Sequence, residues 1–266
     1  MKKILLAGVG LAIVAVAAGG FLIWRQSQKP EEKQTIAPPP SMKKVNELEL
    51  GLQPFVALLP HPNPETCSGV DLVIEDLKNK ESLAEYELEY TAGPLIQGVF
   101  GRRDFTQVAN THQPLEFGSC SKGKCKCDTN ISGGSLTLTF TTPGEEYALK
   151  SDFSLYVVGE DEVFTSTDAR FTVNPGRALA KGTPVIVMKT MGLPAPVEKE
   201  VIAGPYGVFA PQGVKPTGTL EVTLQTHEGG TFMYWDGNGW MTPKTMPRDD
   251  KYVIPVSSLG VAVLVK

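Results

Sequence analysis

The chain has 266 residues, room for one large domain or two ordinary ones, and its 20% charged and 41% apolar content suits a protein with its own core rather than a disordered chain. A formal net charge of −4 conceals a strongly acidic body, because beyond Lys44 there are 18 Lys and Arg against 27 Asp and Glu. That balance repels phosphate backbones, and no basic stripe interleaved with aromatics offsets it, so nucleic acid is not an expected partner.

The first element is apolar. Ile4 to Trp24 is a run of 21 uncharged residues, about the ~20 that a bilayer-spanning helix needs. Lys2 and Lys3 precede it, and Trp24 and Arg25 close it with an interfacial aromatic and a cation. A cleaved signal peptide is the competing reading, with Val16-Ala17-Ala18 as small residues for cleavage, but the apolar run continues through Phe21-Leu22-Ile23-Trp24. Residues 1–25 are therefore expected to be an uncleaved membrane anchor, contacting the membrane through residues 4–24, with a cytoplasmic N-terminus and an exported body. Residues 26–46 follow as a polar stalk stiffened by Pro38-Pro39-Pro40.

Past residue 50 the dominant pattern is period-two alternation, the signature of half-buried strands. Tyr86, Leu88 and Tyr90 alternate with Glu85, Glu87 and Glu89; Leu136, Leu138 and Phe140 alternate with threonines; Phe153-Leu155-Val157 and Leu220-Val222-Leu224 repeat the scheme. The one stretch with helical character is a turn or two around Asp76–Leu83. The fold class expected is all-β: two tandem antiparallel, immunoglobulin-like β-sandwiches over 47–162 and 163–266, divided at the polar tract Gly159-Glu160-Asp161-Glu162.

Four cysteines lie in the first half: Cys67, and Cys120, Cys125 and Cys127 within "GSCSKGKCKCDTN". Three thiolates plus a fourth could bind a soft metal, but zinc knuckles usually repeat C-x2-C, not the C-x4-C-x-C found here. Two disulfides in an exported protein fit better, with Cys120–Cys125 closing a small ring and Cys67 left for Cys127. No metal and no cofactor are expected.

Aromatic residues concentrate in "FMYWDGNGWM", residues 232–241. Asp236-Gly237-Asn238-Gly239 tolerates positive φ, which suits a hairpin turn. Tyr234, Trp235 and Trp240 are the candidate sugar-stacking residues. Asp236 and Asn238 supply too few oxygens for a calcium loop.

The ordered segments "PYGVFAPQGVKPTGTLEVTLQT", "FMYWDGNGWM" and "YVIPVSSLGVAVLV" resemble those of bacterial surface β-sandwich modules related to the sandwich module of ankyrins and netrin receptors. In that family a "vyywdg.gW" hairpin precedes a final "v.v.hFS.fav" strand. The resemblance covers about residues 165–266 and implies that the hairpin is fold hardware. Some members of the wider group cleave themselves at His-Phe-Ser, but Ser258-Leu259-Gly260 stands there in this chain, so self-cleavage is not expected. The first half is similar to ectodomains of uncharacterised, singly anchored envelope proteins of candidate-phylum bacteria, in which a C-x4-C loop follows an apolar strand.

Catalytic signatures are lacking. His61, His112 and His227 sit in no metal or triad spacing and read as solvent-facing loop residues. There is no Gly-x-Ser-x-Gly elbow, and Arg102-Arg103-Asp104 reads as an exposed charged turn. Asn130-Ile131-Ser132 is a glycosylation sequon whose use depends on the host. The function expected is a non-catalytic, membrane-anchored envelope protein for adhesion, assembly or docking to an envelope protein or glycan. The alternative is a carbohydrate-binding module, and a third is an exported hydrolase with an interdomain site.

Overall fold

A computed structural model describes residues 45–243 and 249–266. The expected anchor (1–25) and nearly all of the stalk (26–46) lie outside the described residues. The described residues fall in one compact unit, and it is all-β.

In chain order the strands are β1 (Phe55–His61), β2 (Gly69–Glu75), β3 (Leu83–Ala92), β4 (Leu95–Asp104), β5 (Thr111–Glu116), β6 (Gly118–Ser121), β7 (Lys124–Cys127), β8 (Ile131–Thr141) and β9 (Glu146–Val157). There follow β10 (Phe164–Thr165), β11 (Phe171–Asn174), β12 (Pro184–Lys189), β13 (Val201–Phe209), β14 (Leu220–Gln225), β15 (Thr231–Trp235), β16 (Trp240–Met241), β17 (Lys251–Val256) and β18 (Gly260–Val265). A 3-10 turn at Leu50–Leu52 is the one helical element among the described residues. The turn or two of helix expected around Asp76–Leu83 is not formed. Asp76 and Lys80 take positive φ, which interrupts any helix, and Leu83 already opens β3.

A nine-stranded antiparallel sheet is the backbone of the molecule, in the order β16-β15-β18-β13-β12-β9-β8-β3-β4. A three-stranded sheet (β1-β2-β5), a four-stranded sheet (β10-β11-β14-β17) and the β6-β7 ribbon complete it. The large sheet crosses the boundary expected near residue 162, since β9 pairs with β12 from Val157↔Pro184 to Phe153↔Met188. Residues 158–163 instead make a tight turn, with the Glu160 amide donating to the Val157 carbonyl at 3.0 Å and a bridge between Val158 and Asp161.

Two cores lie on opposite faces of this sheet. Along β12, Ile186 and Met188 join the core under β1-β2-β5, together with Leu72, Leu88, Leu136 and Phe140. Val185 and Val187 join the core under the four-stranded sheet, with Phe171, Val222, Leu224 and Tyr252. Successive side chains of a strand point to opposite faces, so one strand supports both cores. Its apolar run Val185-Ile186-Val187-Met188 is what a strand covered on both faces requires. The last strand, β18, is buried at all six positions for the same reason. Where only one face is covered the alternation is clean: in β3, Tyr86, Leu88 and Tyr90 are buried and Glu85, Glu87 and Glu89 exposed.

Candidate functional site: a groove under Trp235

The hairpin that carries the aromatics is built by β15 and β16, which pair at Tyr234↔Met241 and Trp235↔Trp240. Asp236 closes its turn: one carboxylate oxygen accepts the amides of Asn238 at 2.8 Å and Gly239 at 2.9 Å. Those two backbone donors hold the Asp236 carboxyl below its ordinary value. Gly237, at φ 96°, supplies the left-handed residue that the turn needs.

The three candidate stacking residues separate into three different roles. Tyr234 is completely buried and its hydroxyl donates to the Ser258 carbonyl at 2.9 Å; burial raises its pKa. It belongs to the core under the four-stranded sheet and offers no ring face to a ligand, which corrects its place among the stacking residues. The alternation of β15 sends it inward, with Phe232. Trp240 is half-buried, packs against two small apolar clusters and donates its indole N–H to the Ala195 carbonyl at 3.2 Å. Trp235 is half-buried on the face opposite Tyr234 and meets Trp240 edge-on, with ring centroids 5.7 Å apart.

Trp235 lines a groove of about 500 Å³. Its floor is apolar, with Phe55, Ala57 and Leu59 from β1 and Phe209 and Val261 from the large sheet. Its polar lining includes Glu75, His112 and Gln212. His112 Nε2 stands 3.1 Å from Glu75 Oε1, so the imidazole is oriented at the rim by a carboxylate. The groove draws on β1, β2, β5, β13, the β15–β16 turn and β18, elements from both halves of the sequence. Gly260, which also lines the groove, sits where β18 approaches β15 so closely that a Cβ there would collide with the Trp235 carbonyl oxygen.

Neither His61 nor His112 is a loop residue: the first ends β1 and the second lies within β5. All three histidines face a carboxylate, His61 with Asp71, His112 with Glu75 and His227 with Asp250, each at 3.1 Å. Of these, the Glu75–His112 pair alone is at the groove. Arg102 and Asp104 are exposed and Arg103 half-buried in the last residues of β4, and Asp104 accepts the Thr106 amide and hydroxyl.

The cysteines are joined as Cys67–Cys127 and Cys120–Cys125, with S–S distances of 2.09 and 2.05 Å. The sulfurs of Cys67, Cys120 and Cys125 lie within 4.8 Å of one another, a spacing compact enough for a metal. Each is committed to a disulfide, however, and none is a free thiolate.

No family model, curated protein or solved structure matches this chain.

Proposed function

We propose that this is a non-catalytic, membrane-anchored protein of the cell envelope, whose exported body docks an envelope partner in the groove under Trp235. Residues 4–24 serve as the single membrane-spanning helix, with the N-terminus cytoplasmic, and the body is two sandwich halves built on one shared sheet. The observation that carries the docking reading is the groove itself: an indole over an apolar floor, rimmed by the Glu75–His112 pair and Gln212. Such a combination of apolar area and few oriented polar groups is typical of binding sites. Two disulfides support export, because reducing compartments keep thiols free.

A second reading, carbohydrate binding, is favoured by the same indole, since a sugar ring could stack on Trp235 while Glu75, His112 and Gln212 meet its hydroxyls. Two measurements separate these readings. Full-length protein in mild detergent is presented to a glycan array and, separately, to envelope proteins stripped of glycans, in wild-type and Trp235→Ala forms. Protein capture that Trp235→Ala abolishes supports docking, and array binding lost in the same variant supports the glycan reading. Capture unaffected by Trp235→Ala would remove the groove from both.

A further inference from the structure

Two disulfides meet beside one β-ribbon, and of their four cysteines Cys67 alone is buried while Cys120, Cys125 and Cys127 are exposed. Cys120 and Cys125 face each other directly across β6 and β7, and both are exposed. Cys67 is completely buried, yet its sulfur is within 4.8 Å of both the Cys120 and the Cys125 sulfurs. Disulfides exchange when a thiolate attacks a disulfide sulfur. A thiolate released on the ribbon would therefore be formed beside a second S–S bond.

A neighbouring charge decides which sulfur leaves. The Glu116 carboxylate stands 3.6 Å from the Cys120 sulfur. Negative charge opposes a thiolate, so Cys120 beside Glu116 is the poorer leaving group, which makes Cys125 the sulfur that leaves and Cys120 the one attacked.

We propose that these four cysteines form a thiol–disulfide exchange site, in which an external dithiol opens the exposed Cys120–Cys125 bond and Cys125 passes the exchange to Cys67–Cys127. One thiolate of the dithiol attacks Cys120 Sγ; a mixed disulfide forms and the Cys120–Cys125 bond pair leaves on Cys125 Sγ. That thiolate attacks Cys67 Sγ, making a Cys67–Cys125 bond and breaking Cys67–Cys127, whose electron pair leaves on Cys127 Sγ and takes up a proton. The second thiol of the substrate then displaces Cys120 from the mixed disulfide, also as a thiol. The balance is one dithiol oxidised to a disulfide, and two protein disulfides converted into one disulfide and two thiols. The substrate class is a dithiol, either a small molecule or a reduced cysteine pair of another protein.

The test uses the oxidised full-length chain with dithiothreitol as the dithiol, quenched in acid, alkylated and mapped by peptide mass spectrometry. A Cys67–Cys125 linked peptide is expected to rise and fall as Cys120 and Cys127 become alkylated. In the double variant Cys120→Ser/Cys125→Ser, reduction of Cys67–Cys127 is expected to slow at least tenfold. Absence of the Cys67–Cys125 peptide at every time point overturns the relay, and so does an unchanged rate in the double variant. The linkage map is read in the wild-type chain, so it stands even if the variant folds poorly.

Discussion

The Tyr206 hydroxyl donates a hydrogen bond of 2.6 Å to Asp168 Oδ2. Tyr206 is a strand residue of β13 in the nine-stranded sheet, and Asp168 sits in the turn between β10 and β11 of the four-stranded sheet. The contact ties the two layers together at the edge of the second core, where the Tyr206 ring stacks on Phe171. Asp168 also accepts from the Ser166 hydroxyl at 2.6 Å and the Arg170 amide at 3.1 Å. Burial pushes its carboxyl up, but the hydrogen bonds from Ser166, Tyr206 and Arg170 outweigh it and hold the group below its ordinary value.

A pH dependence follows from that balance. A depressed carboxylate contributes stability that is present above its unfolded pKa and lost as pH falls through the lower folded value. Asp168 is exposed as a residue although its oxygens are engaged, so solvent screening limits the effect. Asp168→Asn is expected to cost about 1 kcal/mol at neutral pH. The gap from wild type should close as the pH is taken below the acidic range in which free aspartate titrates. Thermal melts of both proteins from pH 7 downward would show it, and a gap that widens with acid would contradict it.

The shared sheet predicts a single unfolding transition. Because β12 supplies Ile186 and Met188 to one core and Val185 and Val187 to the other, neither core can melt without disturbing the other's wall. Val187→Ala is expected to cost about 2 kcal/mol, and Ile186→Ala about 3 kcal/mol. Both should shift one common melting temperature. Scanning calorimetry checks this through the agreement of calorimetric and van't Hoff enthalpies; two resolved transitions, each moved by one variant alone, would refute it.

The disulfides should differ in what they contribute to stability. Cys67–Cys127 spans 60 residues and Cys120–Cys125 only 5. In the loop-entropy account these correspond to about 4 and about 2 kcal/mol. Cys67→Ala/Cys127→Ala should therefore lower the denaturant midpoint clearly more than Cys120→Ala/Cys125→Ala, as followed by tryptophan fluorescence in guanidinium chloride.

The hairpin tryptophans should separate binding from stability. Trp240→Ala removes packing in two clusters and leaves the Ala195 carbonyl without its indole donor. A cost near 3 kcal/mol is expected, the low end for such a truncation because the ring is only half-buried, about as for other aromatic-to-alanine changes. Trp235→Ala also loses apolar contact, with Phe55, Ala57 and Val261, but its larger effect should fall on ligand capture. Tyr234→Phe loses a hydrogen bond to a backbone carbonyl, about 1 kcal/mol, with no effect on capture. Chemical denaturation and the capture assay together sort the three.

The sequence by itself determined the all-β class and the inward faces of its single-sided strands. Tyr86, Leu88 and Tyr90 could be assigned because each alternates with glutamate, and Leu220, Val222 and Leu224 because they alternate with the polar Glu221, Thr223 and Gln225. The turn at Asp236-Gly237-Asn238-Gly239 was legible because its residue types tolerate what the backbone does there. The role of each hairpin aromatic was not: Tyr234 and Trp235 are neighbours, and strand alternation alone does not say which face meets a core and which a groove. The tract Gly159-Glu160-Asp161-Glu162 has the composition of a linker but makes a turn, and strand composition carries no record that β9 pairs with β12 across it. The only local hint was Val185-Ile186-Val187-Met188, since an unbroken apolar strand needs cover on both faces. The groove was beyond reach for the same reason. Its walls come from β1, β2, β5, β13 and β18, and long-range pairing alone brings Trp235, Glu75 and His112 to one place.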